Sequence, residues 1–285
     1  MDPLFASLLD LLYELQGREI PLTVGGGFGL FLKRRQIDSM RHRTLFDRLP
    51  EPRSTNDLDL FLRTEILTEL DRTREVADAI ARLGYVVVEA AKYLQWTREV
   101  SVNGVLQQVK IDILVGPLGN ARKRLSVSMP RVRPKGDIRF HAHAVEEALH
   151  VEHEAIPIAL AGERSNGEPY ADVAFAPHPF PYLMMKLHAF DDRRRKAQHD
   201  KQRQHALDLY AIVGMMIESE YKRAKELGSF YEADAHVGRA RAIVRDHFAG
   251  PTAIGPLRIR EHPLYGKDFQ MADFIAVMGE IFPSK

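Results

Sequence analysis

Acidic and apolar residues alternate through Asp57-Leu58-Asp59-Leu60-Phe61-Leu62, and no other feature of the 285-residue chain constrains its folding as much. A β-strand turns successive side chains to opposite faces. The spacing therefore predicts a strand with Leu58, Leu60 and Leu62 on a buried side and Asp57, Asp59 and Phe61 on the other. Residues i and i+2 share a face about 6–7 Å apart, so the two carboxylates can converge on one or two hard cations. The pattern returns in Val109-Lys110-Ile111-Asp112-Ile113-Leu114-Val115, where Asp112 lies opposite the apolar set and becomes a candidate third carboxylate. A lone carboxylate in an apolar strand is costly to bury. Three acids on neighbouring strands remove that objection by sharing divalent cations. A bare Asp-x-Asp fits surface acids on an edge strand as well.

Upstream, Ile20-Pro21-Leu22-Thr23-Val24 reads as a short buried strand running into Gly25-Gly26-Gly27, and a helix is predicted from Phe28 to Arg35. Backbone N–H groups in a glycine turn that opens a helix form an anion site. The dinucleotide pattern G-x-G-x-x-G fails because Leu30 stands where the last glycine belongs, and the P-loop lysine is absent. A phosphate cradle of another kind and a simple tight turn both remain open. With the acids, the cradle suits phosphoryl chemistry. Two magnesium ions about 3.5–4 Å apart can activate a hydroxyl nucleophile and neutralise a triphosphate leaving group.

The rest of the chain divides by character. Leucines 4, 8, 11, 12 and 15 recur at helical spacing. A helix capped by Thr64 is expected to run to Gly84, with a strand over 85–89 after it. Strands at 94–102 and 105–115 flank Asn103-Gly104, a strong hairpin signal. Residues 155–160 and 171–175 suggest further strands, and helices are expected over 182–195, 202–216, 231–248 and 269–282. The proline-rich stretch Pro177–Pro181 marks the boundary. The expected fold is α+β, with a small mixed sheet flanked by helices in a domain over 1–178 and a helical domain over 179–285.

There is no cysteine, which excludes thiolate chemistry, cysteine-bound zinc and disulfides, and suits a reducing compartment. A net charge of +1 demands no nucleic-acid partner, although Lys33-Arg34-Arg35, Arg41-His42-Arg43 and Arg193-Arg194-Arg195-Lys196 are local basic clusters. No apolar run approaches the ~18–20 residues of a membrane span, and the N-terminus lacks a signal peptide's positive region. The chain is read as soluble and cytoplasmic, without a membrane partner. His141, His143, His150 and His153 tempt a metal reading, but no H-E-x-x-H spacing occurs, and they are read as surface or capping residues.

Gly25-Gly26 followed by Arg53-Ser54-Thr55-Asn56-Asp57-Leu58-Asp59 resembles the first motif of the nucleotidyltransferase superfamily that includes DNA polymerase β. Within it, the match is to the AbiEii/AbiGii-type nucleotidyltransferases, toxin components of type IV toxin–antitoxin and phage-abortive systems. Lys110-Ile111-Asp112-Ile113-Leu114 resembles that family's second motif, and Phe180 to Ala189, with Lys186, its helix-lysine motif. His205-Ala206-Leu207-Asp208 is similar to a fourth, with Asp208 at its second acid and His205 at the place of its first. The resemblance implies transfer of a nucleoside monophosphate from a nucleoside triphosphate to an acceptor hydroxyl. Asp57, Asp59 and Asp112 would hold magnesium or manganese, Gly25, Gly26 and Ser54 would cradle phosphates, Lys186 would touch the nucleotide, and Asp208 would complete the catalytic set. The implied acceptor is RNA, such as a tRNA end, and the implied partner an antitoxin protein. A protein or small-molecule acceptor and a non-catalytic nucleotide-binding module remain rival readings. Lys186 could also be a snorkelling surface lysine, and Asp208 the partner of a nearby arginine.

Overall fold

The computed structural model describes residues 2–53, 55–91, 93–102 and 105–284. Helix α1 (Pro3–Glu14) starts where the Asp2 carboxylate accepts from the Leu4 and Phe5 amides and Pro3 needs no partner for an N–H. Strand β1 (Thr23–Val24) leads into α2 (Gly26–Met40), and β2 (Asp57–Leu62) follows. The helix expected from Thr64 to Gly84 is two helices, α3 (Thr64–Thr68) and α4 (Leu70–Arg82), and Arg63 rather than Thr64 holds the capping position. Glu69 is extended between them, at φ −110° and ψ 100°. The Thr73 hydroxyl donates to the Ile66 carbonyl at 2.7 Å, so the break leaves that buried acceptor satisfied.

The remaining strands are β3 (Val86–Val87), β4 (Gln95–Val102), β5 (Val105–Val115), β6 (Leu125–Ser128), β7 (Arg131–Pro134), β8 (Ala142–Ala144), β9 (Ile156–Glu163) and β10 (Pro169–Ala176). Among the described residues the sheet has ten strands in the order β6-β7-β8-β5-β2-β1-β10-β9, with β4 also on β5 and β3 on β4. It is mixed, as expected, but larger than the small sheet anticipated. Strands β6 to β8 supply the excess: they are three or four residues long, too short to show an alternation. Strand β5 pairs with β4 as far as Asp112, and β8 takes over the same edge at Leu114 and Val115. Asn103 and Gly104, the expected turn, lie outside the described residues.

By its contacts the chain forms two compact units. The first comprises Met1–Leu32, Ser54–Glu146 and Ala155–Ala176 and contains the sheet. Its core joins Leu4, Leu8, Leu11 and Leu12 of α1 to Leu58, Leu60 and Leu62 of β2 and Ile111 and Ile113 of β5. Burying each such side chain contributes about 1.5–3 kcal/mol, so the leucine face of β2 is pinned inward. Trp96 is buried and stacks on Phe140, the packing role expected of it.

The second unit comprises Lys33–Arg53, Glu147–Glu154 and Pro177–Lys285. It contains α5 (Pro179–Arg195), α6 (His199–Gly214), α7 (Glu218–Phe230), α8 (Ala235–His247), α9 (Ile254–Arg260) and α10 (Met271–Ile281). Its core is aromatic: Tyr210 stacks on Phe269 at 4.4 Å between ring centres and meets Phe46 at 5.1 Å. A buried ion pair, Lys33 to Glu220 at 2.5 Å, ties the middle of α2 to α7. No helix among the described residues is long and apolar enough to cross a membrane.

Candidate active site

The acid face of β2 lies where the alternation predicts. Leu58, Leu60 and Leu62 are buried while Asp57 and Asp59 are half-buried on the other side. Strand β5 runs parallel to β2 with Asp59 directly beside Asp112 and Asp57 beside Lys110. Residues paired across a sheet share a face, so three carboxylates gather on one side of two strands.

Glycines close that face from the β1 side. The Gly25 N–H donates to the Asp59 carbonyl at 2.8 Å, which locks the turn to the acid-bearing strand and commits that donor. Gly26 has φ +61°, and a Cβ built on it would lie 1.6 Å from Asp59 Oδ2. Only a residue without a side chain lets the start of α2 come this close to the carboxylate. A Cβ on Gly25 would stand 3.0 Å from the Phe61 ring, which is the aromatic member of the acid face. Ser54, the third expected cradle residue, lies outside the described residues.

The titration of Asp112 is shifted by its surroundings. Burial, foremost, and the Asp57 carboxylate hold its carboxyl above the usual range, against the pull of the Gln95 amide and Lys110. Gln95 Nε2 lies 3.0 Å from each Asp112 oxygen, and Gln95 is the direct partner of Asp112 across β4 and β5. A Gln95→Leu variant removes the neutral amide donor that favours the carboxylate. Its Asp112 pKa is expected to move further up, read by carboxyl-carbon NMR titration; an unmoved value would deny the amide this role.

The second unit gathers the other two expected residues. Lys186 on α5 donates to Asp208 on α6 at 2.7 Å, and Arg53 approaches the same carboxylate at 3.0 and 3.3 Å. Asp208 is fully buried, and although burial alone would raise its pKa, the two cations hold it at about 2. Lys186 is buried too, so it is not a surface lysine, and Asp208 does pair with an arginine. His205, in the same cluster, is pushed down to about 3 by burial and by Lys186, and is neutral at pH 7.

Removing Asp208 strands two cations. Asp208→Ala is expected to cost about 3–5 kcal/mol of stability in urea unfolding at pH 7, as breaking a buried pair does. In the parent chain the depressed pKa gives stability that is present above the ordinary carboxylate range and lost as pH falls through about 2. Equal stability of the two chains at neutral pH would show the pair to be neutral in net effect.

No protein-family model matches the chain, and no curated protein does. Among solved structures the chain is similar to the antibiotic-resistance factor ANT(2'')-Ia, an aminoglycoside nucleotidyltransferase. The two share 14% identity at a TM-score of 0.39, over 84% of this chain and 99% of that one. A likeness of that size fixes neither the fold nor the chemistry of this chain.

Two neighbours of the expected site were not assigned a role from the sequence. Gln95 was accessible through the hairpin: Val102 pairs with Val105, and seven steps back along each arm lead to Gln95 and Asp112. Arg53 stands in the first motif, but its grip on Asp208 joins residues 155 positions apart and has no local signal. The basic run at the end of α5 is partly paired where it stands. Arg194 and Arg195 hold Asp191 at 3.0 and 2.5 Å, and Arg193 holds Gln198.

Proposed function

We propose that the chain is a magnesium-dependent nucleotidyltransferase. The observation that carries this reading is the row formed by Gly26, Asp59 and Asp112: a helix start pressed against one carboxylate, with a second carboxylate beside it in register. The donor set fits hard divalent cations. Asp57, Asp59 and Asp112 offer only oxygen donors on one face, and a cation among them would offset both the burial and the Asp57 charge that raise Asp112. Magnesium held there would supply charge neutralisation at the triphosphate and at the attacking oxygen.

The chain's own residues define the rest. Phosphates would lie at the start of α2 beside Gly25 and Gly26, with Ser54, where a helix N-terminus favours negative charge. An acceptor hydroxyl attacks the α-phosphorus; the new bond to the acceptor oxygen forms as the bond to pyrophosphate breaks. The hydroxyl proton needs a base, and Asp112, with its raised pKa, suits that role or that of a ligand. Lys186 would meet nucleotide phosphate and Asp208 would hold it for that purpose. On the motif resemblance the acceptor is RNA, with a tRNA end as the first candidate and an antitoxin protein as the restraining partner.

The test is incorporation of label from α-phosphate-labelled ATP, CTP, GTP and UTP into total RNA with magnesium, comparing the parent chain with Asp57→Ala. Label in an RNA band with the parent alone supports the reading and identifies the base. Pyrophosphate released without RNA label assigns a protein or small-molecule acceptor. Nucleotide binding without pyrophosphate release overturns catalysis in favour of a binding module.

A further inference from the structure

The second unit holds a cluster of ligand-type side chains that the aspartate face does not use. Glu147 lies in a turn, His188 on α5 and His236 in the first turn of α8, and one ligand atom from each lies within 4.8 Å of the others. Two of the three side chains stand on packed helices. Helices α5 and α8 pack on each other, and the Asp234 carboxylate caps α8 by accepting from the His236 amide at 2.7 Å.

The tautomer of His188 follows from its surroundings. Its Nε2 lies 3.1 Å from the His236 carbonyl oxygen. A carbonyl can only accept, so Nε2 carries the proton and Nδ1 the lone pair. Metal-bound imidazoles are held in this way, with one N–H on a backbone carbonyl and the other nitrogen on the ion.

Glu147 is short of positive partners. Its own backbone N–H meets the carboxylate, and the guanidinium that acts on it is that of Arg239. The Arg239 guanidinium is itself held by Asp191 and Asp192 at 3.1 and 2.8 Å. Among the described residues no lysine or arginine forms an ion pair with Glu147. A half-buried carboxylate thus faces two imidazoles and lacks a cation of its own.

We propose that Glu147, His188 and His236 bind one zinc ion. Two imidazoles and a carboxylate are the nitrogen and oxygen donors zinc accepts, and they differ from the all-oxygen set of the aspartate face. Ligand atoms about 2.0–2.1 Å from a tetrahedral zinc stand roughly 3.4 Å apart, so the cluster closes by about 1.5 Å at most. The ion would tie the Glu147 turn to α5 and α8 and leave a fourth position open to water. This site stands independently of the proposed transfer reaction.

The test uses the full chain, stripped with chelator and titrated with zinc chloride by calorimetry, with cobalt(II) absorption as a second probe. One site per chain is expected. His236→Ala and Glu147→Gln should each weaken it at least about tenfold, the smallest loss typical of disturbing a metal site. The exposed His153 serves as control, and His153→Ala should leave affinity unchanged. Zinc should raise the melting temperature of the parent chain and not that of His236→Ala. Only weak multi-site binding in the parent, or an affinity untouched by both ligand variants in folded protein, overturns the proposal.

Discussion

An Asp57→Ala chain is expected to fold like its parent and to lose nucleotidyl transfer by about a thousandfold or more. Activity should fall because the carboxylate is one of three on a face of β2 and β5 assigned to the metal, and metal charge stabilisation is worth several kcal/mol. About 1.4 kcal/mol corresponds to each factor of ten. Folding should persist because Asp57 is half-buried at the start of β2 and the apolar burial of the strand belongs to Leu58, Leu60 and Leu62. Removing Asp57 also removes one of the two influences that raise Asp112, so the Asp112 pKa should fall. The variant thus has two readouts: single-turnover transfer and the Asp112 titration. Transfer at the parent rate, with the titration shifted, would leave the electrostatics of the face intact and remove its catalytic role.

What the sequence discloses of this face depends on the range of each interaction. The alternation over 57–62 and 109–115 places seven apolar side chains on the buried side and three acids on the other, because a strand's period of two is local geometry. The parallel register that seats Asp59 beside Asp112 is not local. It follows from how far β2 and β5 slide past each other, and a shift of one residue would put a leucine beside the acid. Gln95 is intermediate: the pairing of Val102 with Val105 fixes its own pairing with Asp112, yet that matters only once Asp112 is known to be buried. The lysine and acid of the second unit show the opposite limit. Helical spacing marks both as helix residues, but nothing in the spacing predicts that Lys186 spends its charge on Asp208, or that Arg53 shares the task. The histidines show it too. His141, His143, His150 and His153 attract attention because they are close in sequence, whereas the cluster that forms takes His188 and His236 from different helices and Glu147 from a turn.

Gly26→Ala is expected to be the most damaging single-methyl change near the site. Two costs act together and can be separated. The backbone at φ +61° strains any residue with a Cβ, by about 1–3 kcal/mol. The new methyl also meets the Asp59 carboxylate, with Oδ2 at 1.6 Å and Cγ at 2.7 Å, so Asp59 must turn away or α2 must retreat. Either movement parts the helix start from the carboxylate, and transfer should fall by at least the factor expected for losing one metal ligand. A double-mutant cycle separates the terms. In an Asp59→Ala background the nearest remaining atom is the Cβ of residue 59 at 3.2 Å, a tight contact but a tolerable one. Gly26→Ala should then cost only its backbone strain, less than it costs beside the carboxylate. An equal stability loss in both backgrounds would mean that backbone conformation alone selects glycine here. A smaller loss without the carboxylate would show that Asp59 and Gly26 require each other, as expected where a helix start and an acid must meet around the same phosphate.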